Sequence, residues 1–218
     1  MKIALDGPAG AGKSTVAKSI AKRLGFNYLD TGAMYRAVAY AFLSRNIDVN
    51  NHEAVTAGLP DVDLKVEYLD GRQLLFINGR DVTPFIRTPE VSKGASDVAV
   101  IPDVRIKLVG LQRQVADQYD IVMDGRDIGT YVLPDADFKF YITASAAVRA
   151  QRRYLEIHEA RPDITVGQIE KDIIARDATD SNREFAPLRQ AEDAVLVDTT
   201  NLSIEEVVAQ IMGAILSK

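Results

Sequence analysis

The sequence predicts an α/β fold: a five-stranded parallel sheet covered by helices on both faces, with a small antiparallel insert. Three observations predict it. Five short strand candidates are apolar through their length instead of at alternate positions, which suits strands buried on both sides. Segments with helical spacing separate them, the pattern that builds a parallel sheet. One stretch alone, residues 62–82, alternates apolar and polar positions and carries hairpin turn signals.

Lys2-Ile3-Ala4-Leu5-Asp6 is the first strand. Lys13 to Leu24 places Val16, Ala17, Ile20, Ala21 and Leu24 on one helical face and ends at Gly25. Asn27 to Asp30 is a second strand and Ala33 to Arg45 a second helix. Within the insert, Val62, Leu64, Val66 and Tyr68 alternate with polar neighbours, and Asp70-Gly71 and Asn78-Gly79 are two-residue turns. Thr88-Pro89 opens a further helix, and Val104, Leu108, Leu111 and Val115 mark another that faces the core. Ile121 to Asp124, Phe138 to Ile142 and Val195 to Val197 are the remaining buried strands. Ser145 caps the helix between the last two, and Ser203 with Glu206 has capping-box spacing before Val207, Val208, Ile211 and Ile215.

The chain has 218 residues, 47% hydrophobic and 26% charged, which excludes disordered, collagen-like and coiled-coil classes. It has no cysteine and two histidines, which excludes a disulfide framework and a cysteine-based zinc site. His52 and His158 are isolated and carry no catalytic duty. The three apolar residues between Lys2 and Asp6 are too few for a signal peptide, and no 18-residue apolar run follows. A cytoplasmic protein with no membrane association is expected. With a net charge of −5, broad electrostatic binding of nucleic acid is not expected, so any polyanion site is local.

Gly7-Pro8-Ala9-Gly10-Ala11-Gly12-Lys13-Ser14 follows a strand and opens a helix, and its G-x-x-x-x-G-K-S spacing builds a phosphate loop. Glycines let backbone N–H groups wrap a phosphate, and the helix N-terminus adds partial positive charge. Lys13 reaches the outer phosphates, and the Ser14 hydroxyl is a ligand for Mg²⁺. The loop indicates a nucleoside triphosphate without naming what receives the phosphoryl group. The Asn-Lys-x-Asp guanine reader of signalling GTPases is missing, and a motor or transporter ATPase needs more chain. A small kinase remains, with a sugar-acid or nucleotide acceptor open at this stage.

Acceptor residues follow from the sheet edge, since ligands of open parallel sheets sit at the carboxyl ends of strands. Asp30-Thr31-Gly32-Ala33-Met34-Tyr35-Arg36 and Asp124-Gly125-Arg126-Asp127-Ile128-Gly129-Thr130 both lie there. Asp124 fits a turn cap as well as a ligand role. Arg149, Arg152 and Arg153 stand at i, i+3 and i+4 and are expected to present three guanidinium groups together; Arg176, Asp180 and Arg183 form a second face. Eight basic and eight acidic residues between 149 and 189 equally fit a solvated helix pair laced with ion pairs. Phosphoryl transfer between two anions favours the first reading, because fixed cations must offset their repulsion and arginine is bidentate to phosphate.

The phosphate loop, the two stretches 30–36 and 124–130, and Arg176-Asp177 through Asn182-Arg183 occur together in this order. In this the chain resembles the bacterial cytidylate kinases, nucleoside monophosphate kinases of the P-loop group, from end to end and including the antiparallel insert. The resemblance implies a P-loop three-layer fold as a single domain. Residues 1–30, 103–148 and 190–218 would form the core, 31–102 an acceptor-binding arm with the insert, and 149–189 a short helical lid. It implies transfer of the γ-phosphoryl group of ATP to CMP or dCMP in pyrimidine nucleotide metabolism, by a monomer using Mg²⁺ with ATP as co-substrate. Gly7, Pro8, Ala9, Gly10, Ala11, Gly12, Lys13, Ser14, Thr15 and Arg149 would bind ATP, and Lys13, Arg152 and Arg153 would be catalytic. Thr31, Arg36, Arg126 and Arg183 would hold the acceptor phosphate, Ser96, Arg105 and Asp127 the cytosine, and Arg176 and Asp180 the sugar. The base reading has a chemical reason: the cytosine amine donates to a carboxylate, whereas uracil offers the opposite pattern.

Overall fold

The computed structural model describes residues 1–159 and 161–217. Among these described residues, eight strands and eight α-helices run in the order β1 (Lys2–Asp6), α1 (Lys13–Leu24), β2 (Asn27–Asp30), α2 (Thr31–Leu43), α3 (His52–Gly58), β3 (Leu64–Leu69), β4 (Arg72–Ile77) and β5 (Arg80–Asp81). Then come α4 (Pro89–Val98), α5 (Pro102–Gln118), β6 (Ile121–Asp124), β7 (Phe138–Thr143), α6 (Ala146–Ile157), α7 (Val166–Asn182), β8 (Val195–Asp198) and α8 (Ile204–Leu216). One sheet has five parallel strands in the order β2-β6-β1-β7-β8; a second has three antiparallel strands, β3-β4-β5. Among the described residues, no helix is long and apolar enough to cross a membrane.

Two compact units divide the chain, residues 1–25 with 122–218 and residues 26–121. In the first, β1 pairs in parallel with β7 from Ile3 opposite Phe138 to Asp6 opposite Tyr141, and β7 with β8 from Phe140 opposite Val195. Ile3, Leu5, Val122, Met123, Phe140 and Ile142 are fully or nearly fully buried, as strands covered on both faces require. Val16, Ile20, Val207, Val208 and Ile211 bring α1 and α8 into this core. The Ser203–Glu206 capping box forms as its spacing predicts. β8 departs from expectation, because Val197 is buried but Val195 and Leu196 are about half exposed. It is the edge strand, with one neighbour only and correspondingly less cover. Helices α6 and α7 share a separate small core of Ala150, Ile169 and Ile173, flanked by Tyr154, Ile157, Ile164 and Val166.

In the second unit, α2 begins at Thr31, two residues before its apolar periodicity, because Asp30 caps it by accepting from Ala33 N at 2.8 Å. The hairpin turns form where Asp-Gly and Asn-Gly stand, with all four residues at positive φ between 50 and 78°. β3 and β4 pair from Leu64 opposite Ile77 to Leu69 opposite Arg72. Leu64 and Leu75 are buried as β3 and β4 pack with α2, and Gly94 lets α4 approach Ala39 and Leu43 of α2 closely. Helix α3 has no clear apolar stripe and one buried residue, Val55; Asn51 caps it. Helix α5 buries Val104, Leu108 and Val115, together with Arg105 and Gln112.

The first glycine of the phosphate loop shows how tightly the loop is seated. Gly7 has φ 141°, and a Cβ there would lie 1.9 Å from the carbonyl oxygen of Ile142 on β7. Both the strain and the clash are with backbone, so side-chain rotation cannot relieve them. Gly7→Ala is expected to lower the free energy of unfolding by about 2 kcal/mol or more, measured by urea denaturation, with loss of nucleotide binding.

Candidate active site

The phosphate loop leaves the carboxyl end of β1 and feeds α1 through Gly12, which takes the N-cap position at φ 87°. The first turn of α1 contains no acidic residue of its own, and a negative charge reaches it from Asp124 at the end of β6. Lys13 is 5% exposed, and its Nζ donates to Pro8 O across the loop at 2.6 Å. Burial lowers its pKa, Arg126 lowers it further and Arg176 adds to this; Asp124 and Asp6 oppose them, and the net value falls to about 7. Cations from three segments thus lie close enough to repel one another. Ser14 Oγ donates to Asp124 Oδ2 at 2.7 Å, so Asp124 reaches the phosphate loop.

Asp6 was legible in the sequence only as the end of a strand, yet it positions the second site loop. Its Oδ1 accepts from Ile128 N and its Oδ2 from Gly129 N, each at 2.7 Å. These bonds clamp the start of a short π-helical turn, Ile128–Val132, directly after Arg126 and Asp127. A side chain at position 129 would crowd Asp6 Oδ2 and Lys139, which explains the glycine. Burial pushes the Asp6 carboxyl up to about 6, with its two amide donors limiting the rise.

Arg126 and Arg183 are held by carboxylates. Arg126 Nε donates to Asp180 Oδ2 at 2.8 Å, and Arg183 Nη2 donates to Asp127 Oδ1 at 3.2 Å. Arg183 Nη1 also lies 3.9 Å from Asp180 Oδ1, and its Nε donates to Ala186 O at 2.6 Å. Burial works against ionisation of Asp180, but Arg126, Arg176 and Arg183 outweigh it and hold that carboxyl below its usual range. The sequence-predicted residues Lys13, Arg126, Asp127, Arg176, Asp180 and Arg183 therefore belong to one charged network in the first unit.

The three arginines of α6 do not present one shared cationic face. Arg149 is buried; its Nε donates to Ala144 O, its Nη1 to Ala9 O of the phosphate loop at 3.0 Å, and Nη1 also pairs with Asp177 of α7 at 2.6 Å. Arg152 donates to the hydroxyl of buried Thr199 at 3.0 Å and to its carbonyl at 2.7 Å, while Thr199 Oγ1 contacts Ala11 O at 3.3 Å. Arg153 is exposed and pairs with Glu156 on its own helix. Helical spacing places side chains on a face but says nothing of the carbonyls and carboxylates that each one meets. Asp177 and Thr199 were missed for the same reason. Thr15 lies exposed on α1.

In the second unit Thr31 is buried as the first residue of α2, and Arg36 Nη2 pairs with Asp30 Oδ2 at 2.8 Å. Arg87, absent from the sequence reading, donates to the same oxygen at 3.3 Å. Arg105 is 1% exposed, donates to Ala99 O at 3.3 Å and stacks its guanidinium 5.5 Å from the Tyr35 ring centre. Ser96 is half-buried on α4.

A strand feeding a glycine loop, a helix start without acids and a buried lysine define a P-loop protein that handles phosphate-bearing ligands. The sequence profile of the family described as cytidylate kinase matches residues 3–217, so the chain belongs to the cytidylate kinase family and is a kinase. Among its relatives, the cytidylate kinase of Caldicellulosiruptor bescii is 50% identical over 212 residues, covering 97% of this chain and 94% of that one. That of Desulfitobacterium hafniense is 51% identical over 213 residues, 98% of this chain and 91% of its own. A solved structure of shikimate kinase from Acinetobacter baumannii in complex with shikimate shares the fold. It has a TM-score of 0.50 and 16% identity, and the match covers 99% of this chain and 93% of that chain.

The Asp6 carboxyl gives a pH test with a definite sign. It is protonated more easily in the folded chain, at about 6, than at its ordinary 3.8. Its stabilising contribution is full below pH 3.8 and is lost as pH rises through 6. The unfolding free energy of the wild type relative to Asp6→Asn is expected to fall by about 2 to 3 kcal/mol between about pH 4 and about pH 7, measured by urea denaturation.

Proposed function

We propose that the protein transfers the γ-phosphoryl group of ATP to CMP or dCMP, giving ADP and CDP or dCDP. The observation that carries this reading is the gathering of Lys13, Arg126 and Arg176 near enough to depress the Lys13 pKa, beside a phosphate loop. Such a cluster, its cations balanced in part by Asp6, Asp124 and Asp180, suits a pair of phosphate groups meeting in transfer. Family membership over nearly the whole chain supports the cytidine acceptor.

The loop from Gly7 to Ser14 and Thr15 binds the ATP phosphates with backbone N–H groups, and Lys13 follows charge developing on the transferred group. Arg149 keeps the loop in shape through the Ala9 carbonyl as well as serving the ATP side. Arg152 and Arg153 are proposed to turn from Thr199 and Glu156 to the phosphates as the segment 149–189, with its own small core, closes as a lid. Closure excludes water and so suppresses hydrolysis. Arg126 and Arg183, with Thr31 and Arg36, hold the acceptor phosphate. Arg176 and Asp180 hold the sugar, and Ser96, Arg105 and Asp127 read cytosine. No strong base is needed, because the acceptor oxygen is already ionised and the work is positioning and charge stabilisation.

Among the described residues, no group of three or more carboxylate, histidine or cysteine side chains is placed to hold a metal ion. That suits Mg²⁺ arriving with ATP, which keeps most of its ligands as phosphate oxygens and water. Ser14 Oγ and Asp124 Oδ2, 2.7 Å apart, are the oxygen donors that fit it, and the ion would supply charge neutralisation on the phosphates. A net charge of −5 disfavours broad binding to nucleic acid and suits small-molecule substrates. The reading is completed by a cytoplasmic monomer with no membrane partner.

An ADP-release assay with CMP, dCMP, UMP, AMP and GMP is expected to give the highest kcat/KM with CMP and dCMP; fastest turnover of AMP or GMP would contradict the reading. Asp127→Ala is expected to reduce the CMP-over-UMP preference by about tenfold to a hundredfold while leaving the KM for ATP within about threefold.

A further inference from the structure

The antiparallel insert touches the acceptor arm through one side chain whose geometry matches a peptide group. Gln73, on β4, accepts from Asp30 N through Oε1 at 2.8 Å and donates to Asp30 O through Nε2 at 3.3 Å. Asp30 ends β2, where its backbone turns into α2. Its side chain is fully engaged: Oδ1 caps α2 by accepting from Ala33 N, and Oδ2 accepts from both Arg36 and Arg87. Arg36 Nε is buried with no hydrogen-bond partner, a donor left over for something else.

We propose that Gln73 is a positioning residue for the acceptor: by gripping the Asp30 peptide it fixes Thr31 and the Asp30–Arg36 pair, so that the insert sets the affinity for the acceptor phosphate. This rests on the acceptor role given above to Thr31 and Arg36. The hairpin does not need Gln73 for its own cohesion, since β3 and β4 pair along six residues each. What needs it is a peptide group at the end of a strand, where the ladder no longer supplies partners and a buried unmet donor or acceptor is costly. An amide side chain carries a donor and an acceptor on one planar group, the complement of a peptide N–H and C=O. A carboxylate in its place would accept only and would compete with Asp30 for Arg36.

Gln73→Leu and Gln73→Glu, assayed for KM in CMP and in ATP with thermal unfolding alongside, test this. For Gln73→Leu the KM for CMP is expected to rise about tenfold, while kcat, the KM for ATP and the unfolding midpoint stay close to wild type. Gln73→Glu, which keeps an acceptor for Asp30 N but has no donor for Asp30 O, should also raise the KM for CMP and leave the KM for ATP close to wild type. An unchanged KM for CMP in Gln73→Leu, or equal rises in both KM values, would overturn the proposal. If Gln73→Leu does not fold, the same KM split in Gln73→Glu decides. Should the wild type prefer another acceptor in the panel, the CMP assignment fails separately, and the same KM split is measured with that acceptor.

Discussion

A lysine ammonium buried beside two arginines is a costly arrangement for a folded chain. Burial and then Arg126 push the Lys13 proton off, and Asp124 and Asp6 restrain it only in part. Evolved cores do not hold such a group for stability, since a buried charge is usually better replaced by an apolar side chain. On the function proposed above, arriving phosphate oxygens offset the cost, and the surrounding elements of the first unit suit that event. The parallel sheet brings the loop to a strand end, Gly7 lets it lie against β7, and Arg149 and Thr199 hold its carbonyls from behind.

Carboxylates play the complementary part. Asp180 and Asp127 keep Arg126 and Arg183 at fixed positions by ion pairs, and Asp30 does so for Arg36 and Arg87. Each arginine is thereby oriented and partly neutralised by a carboxylate of its own unit. Asp6 acts one step further back, setting the backbone from which Arg126 and Asp127 project. On the function proposed above, Arg126 and Arg183 are then donors already in place for the acceptor phosphate, and preorganised donors are where such sites gain most of their effect.

Much of the fold could be read from local chemistry. Apolar runs located all five parallel strands, Asp-Gly and Asn-Gly located the insert's turns, and Thr88, Ser145 and Ser203 located three helix starts. The phosphate loop was legible because a tight anion cradle demands glycines at fixed spacing. Helix α3 was not, since seven residues with one buried side chain leave no periodicity. Exposure of β8 was missed because strand position within a sheet is a property of topology. In the site, residue types were legible but their partners were not. Arg149, Arg152 and Arg153 look equivalent at helical spacing, yet they meet Ala9, Thr199 and Glu156, which lie 140, 47 and 3 residues away. Gln73 and Arg87 gave no signal, because an isolated polar residue acquires a role only when folding sets it against a particular peptide or carboxylate.

The central claim is tested most directly by titrating the ε-carbon resonance of Lys13 in protein labelled at lysine, without and with a non-hydrolysable ATP analogue. The account predicts a midpoint near 7 in the free protein, rising to about 10 when the phosphates are bound. A midpoint already about 10 in the free protein and unmoved by nucleotide would contradict it.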